Sequence, residues 1–129
     1  MVDQLKVLVA CSDPESGRKL RECLSECGLD PIPSSTVREA CAILTQQPVP
    51  LVICSMSLAD GTFRDLLRAA EVTEPRVPVV VASQGENTAE YLEAMEMGAF
   101  DFIAYPCRRA ELEWIISNAL RRAAVAAHA

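Results

Sequence analysis

Positive charge is scarce in this sequence, and no apolar run approaches the roughly 18 residues that a membrane-spanning helix needs. Against 18 Asp and Glu stand only 12 Lys and Arg, a net charge of −6. Nucleic acid selects basic surfaces, so this balance excludes it as a partner. The single histidine, His128, lies in the C-terminal tail, and no Cys-x-x-Cys pair of the kind that builds zinc sites occurs. The six cysteines are Cys11, Cys23, Cys27, Cys41, Cys54 and Cys107. Cys23 and Cys27 share a helix face, but one spacing of four without a histidine is a poor metal motif. Most of the six are expected to be small buried hydrophobes, kept reduced. Met1-Val2-Asp3-Gln4 lacks the basic-then-apolar pattern of a secretory signal, so the expected compartment is the cytoplasm and no membrane partner is expected.

What is present is a regular alternation. The 129 residues fit one domain with one core. Leu5-Lys6-Val7-Leu8-Val9-Ala10 is a short apolar run, as in a strand buried on both faces. Asp13-Pro14-Glu15 then opens a helix, with an Asp cap, Pro at the first position and an acid in the first turn. Leu20, Cys23, Leu24 and Cys27 recur at helical spacing, and Gly28 ends it. In Asp30-Pro31-Ile32-Pro33-Ser34 two prolines stand two apart, so their missing donors face one side of an extended chain. Only an edge strand accommodates that.

Thr36-Val37-Arg38-Glu39 is a capping-box pattern opening a second helix. Leu51 to Ser55 is a third strand, and Asp60-Gly61 turns the chain into a helix with Phe63, Leu66 and Leu67. Pro78 to Ser83 is a fourth strand, followed by a helix with Tyr91, Ala94 and Met95 that Gly98 ends. Phe100 to Ala104 is a fifth strand, and Leu112, Ile115, Ile116 and Ala119 stripe a last helix. Arg121 to Ala129 is helix-prone and extends that helix as a tail. Five strand–helix alternations, with connections too short for further elements, predict an α/β fold: a doubly wound parallel sheet with helices on both faces.

Leu58-Ala59-Asp60-Gly61, Pro78-Val79-Val80-Val81-Ala82-Ser83, Gly98-Ala99-Phe100-Asp101-Phe102, Tyr105-Pro106 and Glu111-Leu112 occur in an order and spacing that resembles bacterial response-regulator receiver domains. The resemblance covers about residues 5 to 122 and implies a single receiver unit, with 123–129 as tail. It implies a flavodoxin-like three-layer sandwich with five parallel strands in the order 2-1-3-4-5, which also puts strand two at an edge.

In that family an acidic pair after strand one and an acceptor aspartate after strand three hold Mg²⁺ beside the incoming phosphoryl group. A Thr or Ser follows strand four, and a Lys precedes a proline after strand five. Carried over, the acidic pair falls on Cys11 and Ser12, the acceptor on Ser55, and the lysine on Tyr105. Only the hydroxyl survives, as Ser83. Mg²⁺ wants carboxylate or phosphate oxygen, so no cofactor and no Mg²⁺ binding are expected here. Asp13, one residue beyond the pair, reads as the helix cap. Phe102 holds the family's aromatic switch position and is equally a core strand residue. The resemblance implies a cis peptide bond before Pro106.

The leading reading is a degenerate receiver, or pseudo-receiver, of two-component phosphorelay signalling. It would be no enzyme but a regulatory module that works through protein contacts without aspartyl phosphorylation. Its partner is a signalling protein or a fused effector domain, or a second copy through the helix 4–strand 5–helix 5 face that the family commonly uses. Trp114 falls off the apolar stripe of the last helix and, with Tyr91, is the candidate anchor; alternatively its ring lies flat over the stems of Arg108 or Arg121. Two further readings stay open. One is a receiver still phosphorylated at Asp13 or Ser55. The other is a thiol-based or small-molecule sensor using the same crevice, with Cys11 and Cys107.

Overall fold

The computed structural model describes residues 4–85, 88–105 and 108–127, with side chains to 123 and without that of 105. Five strands, β1 (Lys6–Ala10), β2 (Asp30–Ser34), β3 (Leu51–Ser55), β4 (Val79–Gln84) and β5 (Asp101–Tyr105), form a parallel sheet. Their order is β2-β1-β3-β4-β5, as the resemblance implied. The helices are α1 (Pro14–Glu26), α2 (Val37–Gln46), α3 (Phe63–Glu71), α4 (Thr88–Glu96) and α5 (Arg109–Ala127).

Side chains alternate across a strand, so near-continuous apolar strands must feed two cores. Leu8, Ala10, Val52, Cys54, Val79 and Val81 face α2, α3 and α4 through Ala40, Phe63, Leu66, Leu67 and Ala94. Val7, Val9, Leu51, Ile53, Val80 and Ile103 face α1 and α5 through Leu20, Leu24, Leu112, Ile115 and Ile116. Strand β2 lies at the edge with Pro31 opposite Val7 and Pro33 opposite Val9. The Asp30 N–H donates to the Leu5 carbonyl, so the intervening prolines turn their donor-less nitrogens away from β1. Gly28 (φ +83°) and Gly98 (φ +97°) end α1 and α4 in the left-handed region, as expected of glycine after a helix.

Three local expectations need correction. The connection after β3 is not too short for a further element: Ser57–Leu58 and Gly61–Thr62 pair as a small antiparallel ladder. The capping box at α2 is only half formed. Thr36 accepts from the Glu39 N–H at 3.0 Å, but the Glu39 carboxylate takes the Ser35 N–H instead of that of Thr36. The complete box opens α3, between Thr62 and Asp65. The cysteines are mostly not buried either. Among the described residues only Cys54 is, while Cys23 and Cys41 within α1 and α2, Cys27 at the C-cap of α1 and Cys11 after β1 are half-buried. Cys107 and Pro106, with its expected cis bond, lie outside the described residues, as does His128.

Candidate functional site

The chain runs from β1 to β2 on one side of β1 and returns to β3 on the other. Loops leaving β1 and β3 therefore diverge and open a crevice at the carboxyl ends of the strands. Two residues, Cys11 and Ser12, separate Ala10 from the Asp13 cap of α1. Ser55 is the last residue of β3, and Ser83 is the penultimate residue of β4. These residues line one cleft of about 320 Å³, with Asp13, Ser16, Met56, Ser57 and Gln84 around them. Four of the expected positions, Cys11, Ser12, Ser55 and Ser83, are thus brought together. Tyr105 ends β5, which places its backbone in the neighbouring strand; its side chain is outside the described residues.

Most of the crevice's side-chain donors are directed to acceptors of the chain itself. The Ser55 hydroxyl donates to the Ser57 carbonyl at 2.9 Å, and the Ser12 hydroxyl donates to the same oxygen at 3.3 Å. Ser83, which is buried, donates to the Gly85 carbonyl at 3.2 Å, and the Cys11 thiol points to the Asp13 carbonyl at 3.5 Å. Across the mouth, the Gln84 amide donates to the Ser16 hydroxyl at 2.8 Å, and Ser16 donates to the Asp13 carboxylate. That relay ties the end of β4 to the first turn of α1.

Asp13 is the cap of α1, accepting from the Ser16 N–H at 3.2 Å. The Ser16 hydroxyl and N–H hold its carboxyl below the ordinary value of 3.8. Cys54 lies below the crevice, where burial pushes its thiol up to about 12, so it supplies no thiolate. The donor set does not fit Mg²⁺. That cation prefers octahedral carboxylate and phosphate oxygen, whereas this crevice offers hydroxyls turned to a carbonyl and one carboxylate committed to a helix cap. Among the described residues no three His, Cys, Asp or Glu side chains gather to hold a metal ion.

Several contacts around the site were not read from the sequence. Asp60 was taken as a turn residue, yet its carboxylate accepts from the Val37 N–H at 2.6 Å and the Arg38 N–H at 3.1 Å, capping α2 across the chain. These two bonds hold its pKa below 3.8. Gly61 beside it is closely packed: a Cβ there would meet the Asp65 carboxylate and stand 2.9 Å from Val37. Arg64 joins α3 to α4 through a two-pronged bond to Glu93, which lowers the pKa of Glu93. Arg109 ties α5 to the end of α1 through the Glu26 carbonyl at 3.0 Å. The spacing Thr62-x-x-Asp65 is a capping pattern that was passed over in the sequence; the others had no local signal.

These carboxylates give a pH prediction. Asp13, Asp60 and Glu93 have lowered pKa values when folded, against ordinary values of 3.8 and 4.5. The unfolded chain therefore binds protons first, and their stabilisation is complete above about pH 5 and lost as pH falls through the lowered values. Melting temperature should be level from pH 7 to about 5 and fall below it. A level profile down to pH 3 would contradict this assignment.

At the far edge, Phe102 is half-buried in β5 and meets Tyr91 of α4 edge to face, with ring centroids 5.7 Å apart. Tyr91 is 42% exposed and Trp114 on α5 is 68% exposed. Trp114 is off the buried stripe, as its spacing predicted. Among the described residues the guanidinium–ring contacts are Arg64 on Phe63 and Arg122 on Phe100.

No family model matches the chain. In sequence it is 28% identical over 116 residues to the response regulator protein PilR of Pseudomonas aeruginosa, covering 90% of this chain and 26% of that protein. It is 30% identical over 103 residues to the luminescence regulatory protein LuxO of Vibrio campbellii, covering 80% of this chain and 23% of that one. The chain thus spans about a quarter of the length of the curated relatives it matches. Among solved structures it resembles a response regulator receiver domain from Clostridium thermocellum, with a TM-score of 0.85, 23% identity and coverage of 94% and 98% of the two chains. It also resembles the signal receiver domain of a LuxO repressor protein from Vibrio parahaemolyticus, with a TM-score of 0.85, 19% identity and coverage of 95% and 94%. At those identities the structural likeness speaks for the fold alone.

Proposed function

The chain belongs to the receiver family of response regulators, and from that premise we propose that it signals without phosphorylation of an aspartate. In this reading Ser12 and Ser55 stand where the family keeps metal-binding and phosphate-accepting carboxylates, Cys11 completes the former acidic pair, and Tyr105 replaces the lysine. The observation that carries the proposal is the Ser57 carbonyl oxygen. It receives the hydroxyl protons of both Ser12 and Ser55, so these two positions present neutral donors turned onto the chain instead of anionic oxygens. A hydroxyl nucleophile also needs a neighbouring base. Asp13, the one carboxylate lining the crevice among the described residues, is bonded to Ser16.

The module is then a cytoplasmic regulatory unit over residues 5–122 with no catalysis of its own, set in one conformation or moved by a partner. Among the described residues no helix is long and apolar enough to cross a membrane. The test is an amide-resolved titration with beryllofluoride and Mg²⁺. We expect Ser55, Ser57 and Ser83 to stay in place. Saturable shifts at those amides would sink the reading.

Its partner is a signalling protein, a fused effector domain or a second copy, engaged through the α4–β5–α5 face. Among the described residues Trp114 and Tyr91 are the exposed aromatics there, and a partly exposed Trp is a frequent binding anchor. Sedimentation of the chain and of Trp114→Ala tests the self-association arm. The variant should associate at least about tenfold more weakly while keeping its fold. A parent that stays monomeric, or a variant that associates equally well, removes Trp114 as the anchor of a dimer.

A further inference from the structure

We infer that the crevice is a binding site for a small primary amine, an ammonium group carried on a short apolar body. The inference rests on the reading that the site no longer handles phosphate. Its volume of about 320 Å³ lies at the small end of the roughly 300–1,000 Å³ range of small-molecule pockets. Val9, Leu20, Ile53, Met56 and Ala82 make much of the wall, which suits a few methylene groups.

The polar groups decide which head fits. Ser12 and Ser55 donate to the Ser57 carbonyl, Ser83 to that of Gly85, Ser16 to Asp13, and Gln84 to Ser16. With their protons directed this way, the Ser12 and Ser55 hydroxyls turn lone pairs to the ligand, so it has to bring the N–H groups. Asp13 is the one charged side chain among the described lining residues, and no Lys, Arg or His accompanies it. A cation is therefore attracted and a phosphoryl anion repelled. An alkylammonium supplies one positive charge and three donors in a fixed fan. Mg²⁺ would have to shed water for one carboxylate already bonded to a helix N-terminus.

The test uses the whole chain and n-butylammonium chloride, followed by amide shifts, with tetramethylammonium chloride as a probe of equal charge and no N–H. Saturable shifts at Ser12, Ser55 and Ser83 are expected with butylammonium, and affinity for tetramethylammonium at least tenfold lower. Asp13→Asn, which keeps a capping side chain, should weaken butylammonium at least tenfold. Absent saturation, equal response to both cations, or indifference to Asp13→Asn overturns the inference. Silence toward both ammonium and beryllofluoride removes the amine site alone and leaves phosphorylation-independent signalling standing. Saturable binding of beryllofluoride with Mg²⁺ removes that reading and this inference together.

Discussion

In a Ser12→Asp, Ser55→Asp double variant, Mg²⁺ should raise the melting temperature, whereas the parent chain should melt alike with Mg²⁺ or EDTA. The reason is geometric. Both hydroxyls reach one oxygen, the Ser57 carbonyl, at 3.3 and 2.9 Å. Carboxylates grown from the same two positions would converge there, and two carboxylates with a carbonyl form the start of a hard-cation site. Without metal the pair repels: at an effective dielectric near 20, unit charges about 5 Å apart cost about 3 kcal/mol. In EDTA the variant should therefore melt below the parent. With Mg²⁺ at about a hundred times its dissociation constant, binding contributes about 2.7 kcal/mol and largely offsets that loss. A double variant indifferent to Mg²⁺ would mean that the crevice is not the remnant of a metal site. A parent that responds to Mg²⁺ would mean that the site was never lost.

Phe63→Ala should be among the most damaging single changes in the core, costing about 3–5 kcal/mol. Phe63 is the first residue of α3 and is fully buried against the face of the sheet formed by Leu8, Val52, Cys54 and Val81. The Arg64 guanidinium lies 4.6 Å from the centre of its ring, closing the outer side. Truncation removes the transfer energy of the ring and leaves a cavity between α3 and the sheet, which a parallel sheet held on both faces cannot close. Urea unfolding should show a lower midpoint at unchanged slope. The exposed Trp114, of similar size, should change stability by less than about 0.5 kcal/mol on truncation. A loss below about 1.5 kcal/mol at Phe63 would show that α3 is not anchored through this ring.

Much of this architecture could be read along the chain. The edge position of β2 followed from Pro31 and Pro33, because a strand with two missing donors on one side can pair only on the other. Asp13-Pro14 gave the start of α1, since a cap and a first-turn proline act on donors within three residues. The apolar stripe of α5 left Trp114 outside it, and the ring is indeed exposed. The candidate site was half legible. Cys11, Ser12, Ser55 and Ser83 were identified and do meet in one crevice. Nothing in the sequence indicated that one backbone oxygen, at Ser57, would collect two of their protons.

Local chemistry, then, was decided by order in the chain: which segments extend, where helices begin, and which strand lies outermost. Folding alone decided the contacts between distant segments. Asp60 caps a helix 23 residues earlier, Ser12 reaches a carbonyl 45 residues on, and Gln84 bonds Ser16 across 68 residues. Caps and strand propensities act over one turn or one pleat and leave a trace in neighbouring letters. A hydrogen bond between loops depends on where a twisted sheet brings their ends, and that exists only once the strands have paired.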